Sequence, residues 1–430
     1  MRSSSTLVRT FGILGLAVTC SASMAQTDKN LTVDQAVEYG LKHNPQITGG
    51  LAGVAVALAT YQSIGILPNF VFGVSQVQGS SSAPSLTGDT RDTIVSLSTT
   101  VDLSGQRRYQ AAGSHATYKA SGYQFHETLL SLEQQIRDAY WTLAASRATT
   151  TLTRKSLEET QKVYDLTVVQ EQAGTSPKGD VLRASIDVAN AKQALLVAEG
   201  NEETALIAFN TLLAKSPKEV AVLTEDILNE GSLPKGPLAP TEELVRMATG
   251  KRPAIKASVE SVKAANFGVR QAESTRLPDL NVQYERSTVQ QVDALSFTLS
   301  LPLFDFGSIR ESVRAAKENR KQVEAQKRST ESQVAQQVSQ ARSDLDIALK
   351  SAKSYRTEIL EPSAKLFEMA NLGYQNGATG ILPVIDASST LRNARVGYIG
   401  TLLAIHKAED ELNASIGNSR FLSVIRPGVK

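Results

Sequence analysis

The feature that most constrains this chain is that it is written nearly twice. ILPNFVFGVSQV (Ile66 to Val77) resembles RLPDLNVQYERS (Arg276 to Ser287). TIVSLSTTVDLSGQRR (Thr93 to Arg108) resembles ALSFTLSLPLFDFGSIR (Ala294 to Arg310), and EQAGTSPKGDVLRA (Glu171 to Ala184) resembles YQNGATGILPVIDA (Tyr374 to Ala387). The offsets are all about 200 residues, the mark of an internal repeat. The stretches Gly105 to Gly174 and Gly307 to Gly377 differ in length by a single residue. Loops tolerate length changes, whereas coiled coils shift phase with each one. Equal spacing therefore points to two long helices under one geometric constraint.

Each half has the same order of elements. A short helix opens near Thr32, a plausible N-cap three residues before Gln35, and another near Thr241. A longer helix follows and stops at Leu67-Pro68, and again at Leu277-Pro278, since proline ends helices and starts strands comfortably. Two strands come next, with polar loops at Gln78 to Asp92 and Ser287 to Asp293. A long helix then rises to a glycine-containing turn and another descends. In the first rising helix Leu129, Leu132, Ile136, Ala139 and Leu143 step by three and four. In the second, Val334, Val338, Ala341, Leu345, Ala348, Ala352 and Tyr355 do the same, ending near Ile359 and Pro362. That is a heptad seam. A helix over Gln106 to Gln172 would be roughly 100 Å long at about 1.5 Å per residue, and needs neighbours to be stable. The helices therefore form an extended bundle or cylinder.

The strands have two unlike faces. Leu295, Phe297, Leu299, Leu301 and Leu303 alternate with Ser296, Thr298, Ser300 and Pro302. Val95, Leu97, Val101 and Leu103 alternate with Ser96, Ser98, Thr100 and Asp102, and Leu280, Val282 and Tyr284 with Asn281, Gln283 and Glu285. Strict period two means one oily and one wet face. Strands of about ten residues suit a tilted crossing of a bilayer. The alternative is a soluble four-stranded sheet packed on helices. Four strands cannot close a barrel, and open edges cannot exist in lipid. Three copies would supply twelve strands, enough for a closed barrel.

Composition agrees with long helices more than with a thick core: aromatics are scarce and there is one Trp. Arg2 and Arg9 precede the apolar run Phe11 to Val18, and Ser23-Met24-Ala25 follows, so residues 1–25 read as a secretory signal. The lone cysteine, Cys20, lies inside this segment; acylation there is the alternative reading. The domain reading is thus 1–25 signal, 26–215 first repeat, 216–240 Pro/Gly-rich linker, 241–418 second repeat and 419–430 tail. Net charge is close to zero, which gives no reason to expect a nucleic-acid partner.

These residues resemble the TolC-type outer-membrane efflux proteins. The resemblance rests on the two repeats, the Leu-Pro step before each first strand, the strand-to-Gly turns DLSGQRR and FDFGSIR, and the helix turns containing GDVLRA and GILPVIDA. LPLFDFG and LGYQNGA are similar to the CzcC-like heavy-metal branch. The resemblance implies a homotrimeric duct: a twelve-stranded β-barrel in the outer membrane continued by a long α-helical coiled-coil barrel in the periplasm. It also implies a periplasmic adaptor and an inner-membrane pump, with the RND class expected. Gly174, Asp180, Gly377 and Asp386 would lie at the periplasmic aperture. Pro383 replaces the first acid of the family's two-acid tip motif, which weakens the case for a tight acidic ring. Ser96, Ser98, Thr298 and Ser300 would face the lumen, and Leu97, Val101, Phe297, Leu299 and Leu301 the lipid. Asp180 and Asp386 also admit a plainer reading as helix caps.

No cofactor is expected. His43, His115, His126 and His406 are scattered and read as exposed helix residues, and neither a phosphate-cradling nor a dinucleotide glycine pattern occurs. Transport would be passive. The rival readings are a periplasmic adaptor and a coiled-coil structural or adhesin protein. Neither calls for two strand pairs set at equal offset inside helices.

Overall fold

The computed structural model describes residues 30–65, 69–80, 89–229, 231, 233–234, 238–288, 293–300 and 305–421. The expected signal with Cys20, the first Leu-Pro step, Leu301 and most of the expected tail lie outside them. The first half runs α1 (Val33–His43), α2 (Pro45–Ser63), β1 (Val71–Ser80), β2 (Asp89–Val101), α3 (Gln106–Gln172) and α4 (Lys178–Leu212). The second runs α5 (Thr241–Lys251), α6 (Pro253–Ser274), β3 (Asp279–Ser287), β4 (Asp293–Ser300), α7 (Ser308–Ser354), a π-helical turn (Tyr355–Leu360), α8 (Glu361–Gln375) and α9 (Ile381–Ile416).

The local signals work as their chemistry dictates. Thr32 Oγ1 accepts from the Gln35 N–H at 3.3 Å, while Gln35 Oε1 accepts from the Thr32 N–H at 3.1 Å. This reciprocal capping box starts α1. Asn44 caps α2 at the Gln46 N–H, with Pro45 at the first helical position. Each long helix leaves its strand through a left-handed glycine, Gly105 at φ 73° and Gly307 at φ 88°. A carboxylate secures each start: Asp102 accepts from the Arg107 N–H at 2.6 Å, and Asp305 from the Ile309 N–H at 2.9 Å.

Most seam positions are buried, Leu129, Leu132, Ile136 and Leu143 in α3 and Val334, Val338, Ala341, Leu345 and Ala352 in α7, while Ala139, Ala348 and Tyr355 are half-buried. The main core knits α1, α3, α4 and α9 around Val37, Ile136, Tyr140, Phe209, Leu213 and Leu402. Burying side chains of this size contributes about 1.5–3 kcal/mol each. The segment joining the two halves is packed into this core. Ala221 and Ile227 are buried, Leu223 pairs with Leu31 in a parallel bridge, and Glu225 accepts from the Val33 N–H.

The four strands form one antiparallel sheet in the order β1-β2-β3-β4. β1 and β2 run further than their sequence suggests, to Ser80 and from Asp89, into the stretch expected to be loop. Their cross-strand ladder carries the pairing outward through Ser80 and Asp89. Two further expectations need correction. The second rising helix is broken by the π turn, which ends at Leu360, two residues before Pro362 in the first turn of α8. Of the four histidines expected to be exposed only His43 is; His115 and His126 are half-buried, and His406 is buried, stacked on Trp141 with centroids 3.7 Å apart and planes 9° from parallel. Its partner lies 265 residues away, so no local pattern announces the contact.

Candidate functional site

The residues singled out in the sequence fall in two regions, and α3, about 100 Å long by helix rise, separates them. The first is the sheet. Its register aligns Phe72, Leu97, Tyr284 and Leu295 in one cross-strand row. On the same face, Thr99, Val282 and Phe297 form a second row, and Val101, Leu280 and Leu299 a third. The opposite face carries Ser96 with Glu285, Ser98 with Gln283 and Ser296, and Thr100 with Asn281 and Thr298. Ser300 falls on that polar face, opposite Asp279. The apolar face is bare: Phe72, Leu295, Phe297 and Leu299 are each more than half exposed. A contiguous apolar surface of this kind marks a contact with something other than water. At the end of this face away from the helices, Arg286 pairs with Asp293 at 3.8 Å and the Tyr284 hydroxyl donates to Asp293 at 2.9 Å. β1 and β4 are the edges, each with one side unpaired among the described residues.

The second region is the tip, where α3 turns into α4 and α8 into α9. Gly174 (φ 76°) and Gly377 (φ 71°) both hold the left-handed conformation. The hydrogen bonds of the two turns match: Thr175 N–H to Gln170 O at 2.9 Å, and Ala378 N–H to Gly373 O at 2.8 Å. The conformation costs an ordinary L-residue about 1–2 kcal/mol, which accounts for glycine at both.

The two aspartates differ. Asp180 stands in the first turn of α4, pairs with Arg183 at 3.3 Å and accepts from the Ser176 hydroxyl at 3.4 Å. Asp386 lies in the second turn of α9, too far along to cap it, and its side chain is exposed. The cap reading therefore fails for Asp386. The structure does not join the two carboxylates into one cluster within the chain.

Three cross-hairpin contacts near the tip escape a reading of the sequence alone. The Tyr374 hydroxyl on α8 donates to Thr167 Oγ1 on α3 at 2.8 Å, with both residues buried. Arg392 on α9 pairs with Asp187 on α4 at 3.6 Å, and Arg395 on α9 with Glu159 on α3 at 3.4 Å. Burial raises the Asp187 carboxyl above its usual range, and Arg392 offsets part of that rise. Asp187 lies one heptad beyond Asp180, so its face was legible. Its partner was not, because that depends on how two hairpins 200 residues apart rotate against each other.

Between these regions Arg137 gathers acids from three helices: Asp34 at 2.8 Å, Glu133 at 3.2 Å and Asp410 at 4.0 Å. Burial pushes Asp410 up to about 7; Arg137 opposes this, and Asp138, Glu409 and Glu133 add to it. Burial likewise lifts Asp138 to about 6 and pushes His406 down to about 4. Among the described residues no group of three or more His, Cys, Asp or Glu is placed to hold a metal ion. None of the described helices is long and apolar enough to cross a membrane, so the sheet is the only described element whose pattern suits lipid.

A two-repeat chain with paired amphipathic strands inside long helical hairpins defines a class, and the chain belongs to it: the outer membrane efflux protein family, which it matches over residues 40–215 and 244–418. It is an outer-membrane efflux channel rather than an enzyme. Channels of this family are homotrimers that work with a periplasmic adaptor and an inner-membrane pump. The chain is 21% identical over 334 residues to the cobalt-zinc-cadmium resistance protein CzcC of Cupriavidus metallidurans, covering 76% of this chain and 78% of that protein. It is 24% identical over 396 residues to the protein CyaE of Bordetella pertussis, covering 86% and 80% respectively. Its fold matches the transmembrane channel CusC with a TM-score of 0.81 at 17% identity, over 91% of this chain and 93% of that one. It also matches the open state of the Neisseria gonorrhoeae MtrE outer membrane channel, with a TM-score of 0.78 at 18% identity over 90% of each chain.

Proposed function

We propose that the bare apolar face, with Leu97, Val101, Phe297 and Leu299, meets lipid, and that the face with Ser96, Ser98, Thr298 and Ser300 lines water. Leu301 continues the apolar parity of β4 in sequence and lies outside the described residues. The observation that carries this reading is the sheet itself: two chemically opposite faces and two unpaired edges. A sheet of this kind meets the demands of lipid only if neighbouring copies seal β4 of one chain against β1 of the next.

The tip is then the periplasmic end of the duct. Gly174 and Gly377 shape the loops that an adaptor would dock against, and Asp386, exposed on α9, is the stronger aperture candidate of the two aspartates. The contacts Tyr374–Thr167 and Arg392–Asp187 hold the second hairpin against the first and act as latches. Opening requires them to separate, driven by the docking of adaptor and pump. Passage is passive, and cargo selection belongs to the pump.

The cargo is a small toxic solute. Divalent metal ions are the first to test, because the CzcC relative is a cobalt-zinc-cadmium resistance protein. The test is a deletion strain plated on cobalt, zinc and cadmium and on a drug panel, with and without the gene restored. Sensitivity reversed by the restored gene is expected. Unchanged tolerance to every compound in the deletion strain would contradict the efflux role.

A further inference from the structure

We propose that Phe306, at the foot of β4, is the anchor by which one copy of the chain grips the next just below the sheet, and that it seats on the uncovered end of α2 of that copy. This rests on the reading that β4 of one copy is sealed against β1 of the next.

Phe306 is held where its ring gains nothing within its own chain. With Ala214 it is one of two non-glycine residues at positive φ among the described residues, at φ 50°, and it is 98% exposed. A lone exposed apolar residue needs no account. A bulky one kept in the left-handed region does, because side chains of L-residues crowd the backbone there. The turn itself is well secured. Asp305 accepts from the Ile309 N–H at 2.9 Å and from the Gly307 N–H at 3.4 Å, and the Ser308 N–H donates to the Asp305 carbonyl at 2.9 Å. In a single chain these bonds fix an aromatic ring in water.

The other repeat shows which neighbour the ring serves. Before Gly105 the matching position holds Ser104. Ser104 is buried, keeps a negative φ and joins the cap, donating to Asp102 at 2.6 Å and accepting from the Gln106 N–H at 3.2 Å. Both turns leave the same sheet at the same end, so an aromatic placed for the membrane surface would suit both. They differ in what lies beside them. β2 runs between β1 and β3 of its own chain, whereas β4 is an edge. The aromatic stands only where the neighbour is another copy.

The receiving surface follows from the order of the helices. Beneath the sheet α2 packs on α3, α3 on α6 and α6 on α7, the same order as the strands above them. Closing β4 on the next β1 therefore brings the start of α7 beside the end of the next α2. That helix has no charged residue, yet only Ile47 and Val54 are buried. One side of it faces α3, with Gly50 against the Phe125 ring and Tyr61 against His115. Ala52, Val56, Ala59 and Ser63 lie half a circumference away and are exposed, Val56 by 66%. A helix without a charged side is suited to cover on every side. A Phe ring supplies about 150–250 Å² of such cover.

The test is the rate at which channel heated in detergent falls to single chains, read on semi-native gels. Phe306→Ser gives the second turn the residue of the first and should speed dissociation about tenfold or more. Phe306→Leu should recover most of that loss, and Leu103→Ser, at the foot of β2, should change the rate little. An unchanged rate in Phe306→Ser, or an equal effect of Leu103→Ser, would overturn the proposal. If Phe306→Ser gives no assembled channel, Phe306→Trp carries the test, with Trp141, the only tryptophan, replaced by Phe. In channels reconstituted into phosphatidylcholine vesicles its emission should resist both iodide and brominated phosphatidylcholine, and should open to iodide once the copies are separated. Quenching by the brominated lipid in the assembled channel would make Phe306 a membrane anchor, and quenching by iodide a solvated residue; either overturns the proposal. Bismaleimide cross-linking of Phe306→Cys with Ala59→Cys, in a chain with Cys20→Ser, is read beside a cysteine pair across β4 and β1. Links between copies are expected at both pairs. Links at the sheet pair alone would overturn the anchor and leave the sealed sheet. Links at neither pair in an assembled channel would contradict the sealing beneath it.

Discussion

The two hairpins have nearly equal length and the same glycine turn, yet they differ in construction. The first is an unbroken 67-residue helix tied to its partner by Thr150, Arg154 and Arg147. The second is divided by a π turn and seats Tyr355 on a glycine. The first keeps its tip carboxylate engaged, with Asp180 on Arg183; the second leaves Asp386 exposed. A shared length satisfies the packing of a bundle, while one extra residue and a proline go with a π turn in one arm alone among the described residues. Duplication here fixes the overall geometry and leaves local winding and side-chain pairing free to diverge.

The largest expected effect tests the sheet to which both halves contribute. Leu299→Arg places a charge on the apolar face and should cost about 2–4 kcal/mol near mid-bilayer. Leu97→Arg, from the first half, should cost a comparable amount, and Ser98→Arg or Ser300→Arg much less. Yield of assembled channel in membrane fractions reads the difference. Equal losses on both faces would break the assigned facing.

Next come the contacts between hairpins. Arg392→Ala leaves Asp187 buried without its partner and should destabilise the closed tip by about 1.5–3 kcal/mol. More frequent opening in planar bilayers is expected. Arg183→Ala, which removes only an exposed partner from Asp180 within one hairpin, should have little effect. Comparable effects would mean that the second hairpin is not specially held. Smaller still, Gly174→Ala and Gly377→Ala each force an L-residue into the left-handed region, at about 1–2 kcal/mol. The matching hydrogen bonds predict similar losses of thermal stability from the two. A large inequality would show that the turns are under different strain.

A pH dependence draws on both halves. Asp410 and Asp138 titrate higher in the folded chain, at about 7 and about 6, than in the unfolded one. Their contribution is complete below the unfolded carboxylate value and is lost as pH rises through 6 and 7. Thermal stability should therefore fall between pH 5 and pH 8, with a flatter profile for Asp410→Asn. A profile unchanged by that substitution would remove Asp410 from the account.

What the sequence made legible follows one rule. Features set by residues close together could be read: the capping box at Thr32, the left-handed glycines, the heptad seams and the period-two strands. The sheet edges could be inferred too, because counting strands is local. Features set by relative rotation could not. Arg392 with Asp187 and Trp141 with His406 depend on packing between segments about 200 residues or more apart. The joining segment illustrates the same limit: Pro and Gly mark it as irregular, but its bridge to Leu31 and its buried Ile227 come from the core around it. The π turn lies between the two cases. The extra residue was countable and Pro362 visible, but the winding that absorbs it is a property of the assembled hairpin.

The account depends on identical copies sealing β4 of one chain against β1 of the next. Cysteines placed singly and together on the outer edges of β1 and β4, in an otherwise cysteine-free chain in native membranes, test this directly. Oxidation of the double variant should give a covalent species of three chains and each single variant none. Covalent species that stop at one chain, with the two cysteines joined to each other inside it, would contradict the sealed ring.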